Sequence, residues 1–144
     1  LRIRQQVAKT KTCARSQVPF NLQRKCHEAA VTPETEEKAT MSPVAGRTQM
    51  PASARVWSDS PHGDAGLYGE VQRFYSGSGY SLDIPPRNVT MSHWRDTLHL
   101  INTALSDAWL STNTRLVTIE MLMENKELGG HVVVKLAVEC TAAG

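Results

Sequence analysis

The sequence predicts an α+β fold in which an antiparallel β-sheet packs against helices and carries a long irregular loop. Short segments near both ends of the chain alternate apolar and polar residues, as half-buried strands do. One central segment has apolar residues spaced by three and four, as an amphipathic helix does. Strands and helices do not alternate along the chain, which disfavours a parallel sheet. At 144 residues, the chain is expected to form a single domain over residues 1–144.

Residues 1–7 predict a first strand with a basic outer face. The two alternating sets are Leu1, Ile3, Gln5 and Val7 against Arg2, Arg4 and Gln6. The first 27 residues hold seven basic side chains and no acidic one. Such a basic arm can bind nucleic acid or anionic lipid, but no aromatic residues are interleaved for base stacking. A solvated strand face balanced by acidic residues elsewhere is therefore the favoured interpretation.

Residues 16–30 predict a short helix with Pro19 near its first turn. Residues 32–54 are dominated by Thr, Ser, Pro, Ala and Glu and contain few large apolar side chains. Because such a segment buries little by itself, the sequence predicts a long polar loop there. Residues 67–75 and 80–84 then predict two strands joined around the Ser76–Gly79 turn, where glycine allows a positive φ angle.

The strongest helix signal follows Pro85 and Pro86, with a cap expected at Thr90 or Ser92. Its apolar positions are Trp94, Leu98, Ile101, Leu105 and Trp109. Residues 115–123 and 131–140 predict a final hairpin whose turn ends in two glycines. In its last strand Val132, Val134, Leu136 and Val138 line one face, whereas Lys135 and Glu139 lie on the other.

Candidate catalytic and metal-binding residues are few. Ser78 stands between two glycines, but the G-x-S-x-G pattern of a nucleophile elbow is absent. A hydrolase using this turn with His62 or His93 as base lacks an ordered set of acid, base and nucleophile, so no enzyme is predicted. Asp59, His62 and Asp64 could supply ligands to a divalent ion, but a solvated turn is favoured. No metal site is therefore predicted.

The cysteines and a glycosylation sequon favour an extracytoplasmic location. Cys13 and Cys26 lie in a polar, turn-prone region and could close a small loop in an oxidising compartment, contributing about 3 kcal/mol. Cys140 is expected to be a buried small hydrophobic residue of the last strand. Asn88, in the sequon Asn88-Val89-Thr90, is expected to be accessible to glycosylation.

The run Tyr75-Ser76-Gly77-Ser78-Gly79-Tyr80-Ser81-Leu82-Asp83 resembles the Y-S-G-x-G-Y-x-L-D segment of the polycystin extracellular domain. Other matches follow in the same order along the chain. They are Arg2-Ile3-Arg4-Gln5 for the R-[IL]-R-Q start after the first membrane helix, the pair Cys13 and Cys26, Trp57 of the A-W segment, Trp109-Leu110 with Thr114-Arg115 and Ile119-Glu120, and the closing Leu136-Ala137-Val138-Glu139. The chain departs from the family pattern at Ser111 and at Cys140-Thr141.

This resemblance implies the polycystin or tetragonal-opening domain, inserted between the first two membrane helices of a TRP-type polycystin subunit. In that family four copies contact one another above the pore of a calcium-permeable, non-selective cation channel, often in ciliary membranes. The resemblance implies no catalysis and no cofactor, with calcium only as a permeant or regulatory ion. The implied partners are other polycystin subunits, in a homo- or heterotetramer, and extracellular protein ligands, with no nucleic acid.

The resemblance places the domain on the extracellular side of the plasma or ciliary membrane, with its parent chain in the membrane. A start at Leu1 without Met or a signal peptide is expected for a processed or excised piece. Residues 32–54 are hypothesised to supply much of the contact between subunits. The alternative function is a small nucleic-acid-binding domain that uses the basic first 27 residues.

Overall fold

The computed structural model describes residues 1–13, 25–43, 50–59, 66–69, 73–84, 91–106 and 109–140. Within these residues the fold is mostly β, with nine strands, one α-helix and one short 3-10 helix. The strands are β1 (Arg2–Val7), β2 (Thr10–Thr12), β3 (Lys25–His27), β4 (Trp57–Ser58), β5 (Leu67–Tyr68), β6 (Phe74–Tyr75), β7 (Gly79–Asp83), β8 (Thr114–Asn125) and β9 (Gly130–Glu139). Helix α1 spans Met91–Ser106, and the 3-10 helix spans Ala52–Arg55.

The prediction of an α+β fold with a sheet packed against helices is therefore wrong. A five-stranded antiparallel sheet dominates the described part of the chain, in the order β4-β7-β1-β8-β9. Residues 25–27, which were expected in a helix over 16–30, form β3 and pair with β2. The disulfide between Cys13 and Cys26 explains this difference, because it joins the end of β2 to β3 and holds residues 25–27 beside β2.

Strand β1 lies at the centre of the large sheet, between β7 and β8. Gln5 is opposite Tyr80 on one side and Val117 on the other. The position of the first strand is confirmed, but its solvated basic face is not. Arg4 is 4% exposed and Gln5 and Gln6 are buried, because a cluster of side chains covers each face of the sheet at β1.

Each face of the sheet covers its own hydrophobic cluster, because neighbouring residues such as Leu116 and Val117 point to opposite faces. The cluster on the side of α1 contains Ile3, Val7, Met50, Ala54, Tyr80, Leu82, Ala104 and Trp109. The second cluster is smaller and contains Ala8, Val31, Tyr75 and Leu116. In the described residues the sheet is therefore stabilised by two small cores, one on each face, and a single α-helix covers one of them.

The segment expected to be a long polar loop, residues 32–54, packs onto the sheet in its described parts. Glu36 and Met50 are 3% and 2% exposed. The hydroxyl of Tyr80 donates to the carbonyl oxygen of Ala39 at 2.7 Å. Met50 is thus drawn into the core and Met41 packs against it, so the described parts of this segment are not a free surface loop.

The predicted strand over residues 67–75 is wrong as a single element. β5 and β6 form a separate two-stranded sheet, paired through Leu67 opposite Tyr75 and Tyr68 opposite Phe74. Strand β7 is confirmed, but it pairs with β1 and β4 rather than with the preceding strand. The Ser76–Gly79 turn therefore passes the chain from one sheet to the other.

Helix α1 and the final hairpin are confirmed. Trp109 lies beyond the helix end and is 3% exposed within the core. β8 pairs with β9 from Leu116 opposite Glu139 to Asn125 opposite Gly130. Cys140, expected to be buried, is a half-buried free thiol. Among the described residues, no helix has the length and apolar character needed to cross a membrane.

Candidate functional site

The residues singled out by sequence converge around β1. The Arg2 guanidinium donates to Asp83 Oδ1 at 2.6 Å. The Arg4 guanidinium donates to the carbonyl oxygen of Gly77 and to Ser81 Oγ. Because β1 and β7 are antiparallel neighbours, the basic start of the chain and the segment from Tyr75 to Asp83 form one contact region.

The turn between β6 and β7 is held by a buried polar network. The Gln6 side-chain amide donates to the carbonyl oxygens of Ser76 and Ser78 at 2.7 and 3.2 Å. The Ser78 hydroxyl lies 3.0 Å from both carboxylate oxygens of Glu36 and donates to them. Ser78 is 3% exposed, and its hydrogen bonds to Glu36 fix the turn to the segment over residues 32–43.

Gly79 allows β7 to approach β1. Its φ angle is 130°, in the region that favours glycine. A Cβ atom at this position would lie 2.2 Å from the carbonyl oxygen of Gln5. Any other residue would therefore push the two central strands apart.

Gln5 links the segment around Trp109 to the sheet. Its side-chain amide donates to the carbonyl oxygen of Trp109 at 2.7 Å, and its Oε1 accepts a 2.9 Å hydrogen bond from the Thr114 hydroxyl. The Trp109 indole donates to the carbonyl oxygen of Ala54 at 2.8 Å. The Gln5 amide thus connects β1 to Trp109 and to the start of β8, and the Trp109 indole extends the connection to the 3-10 helix.

Arg115, which is buried, and Trp57, which is half-buried, belong to the same region. Arg115 is 2% exposed and donates to the carbonyl oxygens of Glu28 and Thr112 at 3.0 and 2.8 Å. Burial lowers the pKa of Arg115. The ring of Trp57 lies 4.6 Å below the Lys38 ammonium, within the range of a cation–π interaction. Both residues fix irregular segments to the sheet.

Two tyrosines of the network have strongly perturbed acidity. Burial, and then the hydrogen bond to Glu139, raise the pKa of Tyr75 to about 12. Burial, and then the charges of Glu37 and Glu36, raise the pKa of Tyr80 to about 12. Both hydroxyls therefore stay protonated as donors, which suits structural roles.

An arm of two strands extends beyond this network. β1 pairs with β8 only as far as Glu120, so residues 121–134 continue past the sheet as a hairpin, here called the hairpin arm. It exposes apolar side chains on both faces. Leu122 and Val133 are 68% and 71% exposed on one face, Met123 and Val132 are 50% and 52% exposed on the other, and Leu128 at the turn is 83% exposed.

The polycystin domain family model matches residues 1–144 of the chain. The chain belongs to the polycystin domain family. No curated protein that was compared with the chain matches it. The polycystin domain is an extracellular module of ion channels. The ion-channel family to which it belongs is not a class of enzymes. The family suspected from the sequence motifs is therefore confirmed over the whole chain.

Three basic residues in the described start of this polycystin domain are buried or ion-paired. Arg4 is buried, Arg2 forms an ion pair with Asp83, and the Lys11 ammonium lies 2.7 Å from Glu28 Oε2. In the described part of the chain no group of three or more His, Cys, Asp or Glu residues could hold a metal ion. His62 and Asp64 of the candidate ion site lie outside the described residues, as does the sequon residue Asn88.

Sequence reasoning missed the exposed arm of the polycystin domain. The valine-rich pattern predicts the hairpin and an apolar side of β9, but it does not show whether that side is covered. Leu136 and Val138 on that side are 51% and 57% exposed. Strand lengths were the available signal. The hairpin segments are several residues longer than the first strand. The distal part of β8 therefore extends beyond β1 and has no residue of β1 to pair with.

Proposed function

We propose that this polycystin domain is the extracellular assembly and gating module of a cation channel subunit, and that it mediates contacts between subunits above the pore. The observation that carries the proposal is the hairpin arm. A two-stranded hairpin is only marginally stable alone, and apolar patches exposed on a domain mark interaction sites. A second protein surface over both faces of the arm would remove this apolar area from water.

The proposed partners are other polycystin subunits, in a homo- or heterotetramer, together with extracellular protein ligands. The parent chain lies in the plasma or ciliary membrane, and the domain, glycosylated at Asn88, lies on the extracellular side. The channel is proposed to be non-selective and permeable to calcium. No cofactor is included, and calcium enters only as the permeant or regulatory ion.

Gating in this proposal follows from the arrangement of the domains around the pore. A ligand or force acting on the domains shifts the open population only by its differential affinity for the open and closed arrangements. The rigid polar network around β1 supports such a role, because it lets the domain move as one body and transmit a displacement of the arm.

The contact between subunits is assigned to the hairpin arm rather than to residues 32–54. Glu36, Met50 and Ala54 are buried in their own domain. Deleting that segment would uncover both cores and unfold the monomer, so it cannot serve as a test of assembly. Substitutions on the arm avoid this difficulty because the side chains are exposed.

The test uses the full-length subunit in cell membranes with the cross-strand pair Leu122→Ser and Val133→Ser. We expect a several-fold loss of the oligomer on native gels, whereas the amount of membrane-inserted subunit is unchanged. A control with Val56→Ser and Tyr68→Ser, exposed by 51% and 75% elsewhere on the domain, should assemble normally. An unchanged oligomer in the arm variant would contradict the proposal.

The nucleic-acid alternative is not favoured. Phosphate contacts need exposed cations, and a guanidinium that is 4% exposed, such as that of Arg4, cannot reach a nucleic acid. Arg2 and Lys11 are engaged with Asp83 and Glu28. A steep salt dependence of nucleic-acid binding by the purified protein would overturn this conclusion.

A further inference from the structure

A groove of about 380 Å³ opens at the end of the sheet opposite the hairpin arm. Its apolar lining consists of the partly buried Met41 and the edges of the core residues Val7 and Trp109, each 3% exposed, and its charged residues are Arg55 and Glu37. Its volume lies in the range of ordinary binding pockets, roughly 300–1,000 Å³. The groove is therefore large enough to receive side chains of another molecule.

Groove and arm lie at the two ends of one strand. The groove borders Ser111 and Asn113, immediately before β8 begins at Thr114. The arm begins at Met121, after β8 has passed the last residue paired with β1. The two features consequently face in opposite directions along the sheet, and one molecule cannot bring its own arm into its own groove.

The tip of the arm carries an exposed apolar side chain flanked by charged residues. Leu128 is 83% exposed at the turn. Glu124, Lys126 and Glu127 surround it in sequence. The two acidic residues are opposite in charge to Arg55, whose guanidinium also donates to the carbonyl oxygen of Met50, and the single basic residue is opposite in charge to Glu37. These charges at the tip also disfavour insertion into lipid, where ionised side chains are costly.

We propose that Leu128 of one copy of this chain inserts into the groove of a second copy, against Val7, Met41 and Trp109. The inference rests on the proposed function, because it names the two surfaces through which subunits of one channel meet. Since arm and groove are different surfaces, the contact is heterologous. A heterologous contact repeated from copy to copy closes into a ring when the rotation permits, which is the arrangement that subunits around a pore need.

The test joins the two surfaces by cysteines in full-length subunits that carry Cys140→Ser. One tagged population carries Leu128→Cys and a second, differently tagged population carries Ser111→Cys on the exposed rim of the groove. After co-expression and mild oxidation, we expect a disulfide-linked dimer that contains both tags. In the control, Tyr68→Cys replaces Ser111→Cys. The yield of the linked dimer should be at least about ten-fold above that of the control, because Ser111 borders the groove and Tyr68 does not.

Native gels of the same samples distinguish the assembly of subunits from the insertion of Leu128 into the groove. If subunits associate but the Leu128→Cys and Ser111→Cys pair links no better than the control, this inference is overturned and the assembly function stands. If subunits do not associate at all, both are overturned. Adducts of Leu128→Cys with a different protein would also overturn the inference, because they would assign the arm to another partner.

Discussion

The hydroxyl of Tyr75 donates a 2.6 Å hydrogen bond to Oε1 of Glu139. Tyr75 belongs to the small sheet of β5 and β6, whereas Glu139 ends the edge strand of the large sheet. The two residues stand 64 positions apart and belong to two of the sequence motifs that point to the polycystin family. Their bond fastens the small sheet to the end of β9.

Replacing Tyr75 by Phe removes this bond and leaves the ring in the core. Hydrogen bonds to charged groups contribute roughly 1.5–3 kcal/mol, so we expect the free energy of unfolding to fall by about that amount. Urea denaturation of the purified domain measures it. Tyr68→Phe, at a residue 75% exposed, should change stability by less than about 0.5 kcal/mol. Equal effects of the two substitutions would contradict the assignment.

Stability should decline in alkaline solution because of Tyr75 and Tyr80. Their pKa values rise from the ordinary 10.0 to about 12 in the folded state. Between these values the unfolded chain releases protons that the folded domain retains, so stability is complete below about pH 10 and is lost as the pH rises towards 12. Urea midpoints across this range should fall, and they should fall less in Tyr75→Phe. A flat profile would show that neither hydroxyl is perturbed.

Gly79→Ala should be severely destabilising. The added methyl group would lie 2.2 Å from the Gln5 carbonyl oxygen, at a φ angle that alanine rarely adopts. We expect a loss of more than about 2 kcal/mol, measured by thermal and urea unfolding. Gly130→Ala is the matched control, because a Cβ there meets no atom within 4 Å, and it should change stability by less than about 0.5 kcal/mol. Comparable stability of both variants would refute the close approach of β7 and β1.

Loss of the disulfide should destabilise the domain by about 3 kcal/mol, as expected for a loop closed by residues 13 positions apart. The double variant Cys13→Ser and Cys26→Ser tests this by urea unfolding. Cys140→Ser, at the free thiol, should cost less than about 1 kcal/mol. Mass mapping without reduction should recover Cys13 linked to Cys26, and recovery of three free thiols from the native compartment would contradict the pairing.

Periodicity predicted the elements that are long and regular. The alternation of residues 1–7, the spacing of apolar residues around α1 and the valine-rich last strand each extend over enough positions to exclude other structures. The same signals say nothing about which strands are neighbours. The place of β1 at the centre of the sheet depends on contacts with residues more than seventy positions away.

The polar residues of β1 show why its environment could not be predicted. Arg4 and Gln6 indicate a solvent-facing side by their chemistry. They are buried because the turn from Ser76 to Ser78 supplies carbonyl and hydroxyl groups for them. A buried polar side chain is tolerated when it is hydrogen-bonded, and partners so distant in sequence are invisible to a local pattern.

The two incorrect secondary-structure predictions have local causes. β5 and β6 are two residues each, shorter than the usual strand, so their apolar residues read as one continuous element. Residues 25–27 form a strand because β2 and the disulfide hold them there. Helix propensity is a weak preference that such tertiary contacts override.

The central place of β1 sets the order in which the domain can fold. Within the domain this strand is synthesised before the strands that flank it, yet the Thr114 hydroxyl that donates to Gln5 is 109 positions later in the chain. Until β7 and β8 are synthesised, the backbone groups on both edges of β1 have no partner strand. Such unpaired edges promote aggregation. Folding dominated by pairings this distant is slow. Translation of nearly the whole chain therefore precedes the formation of the sheet, and a nascent chain that stops before β8 has no native state to reach.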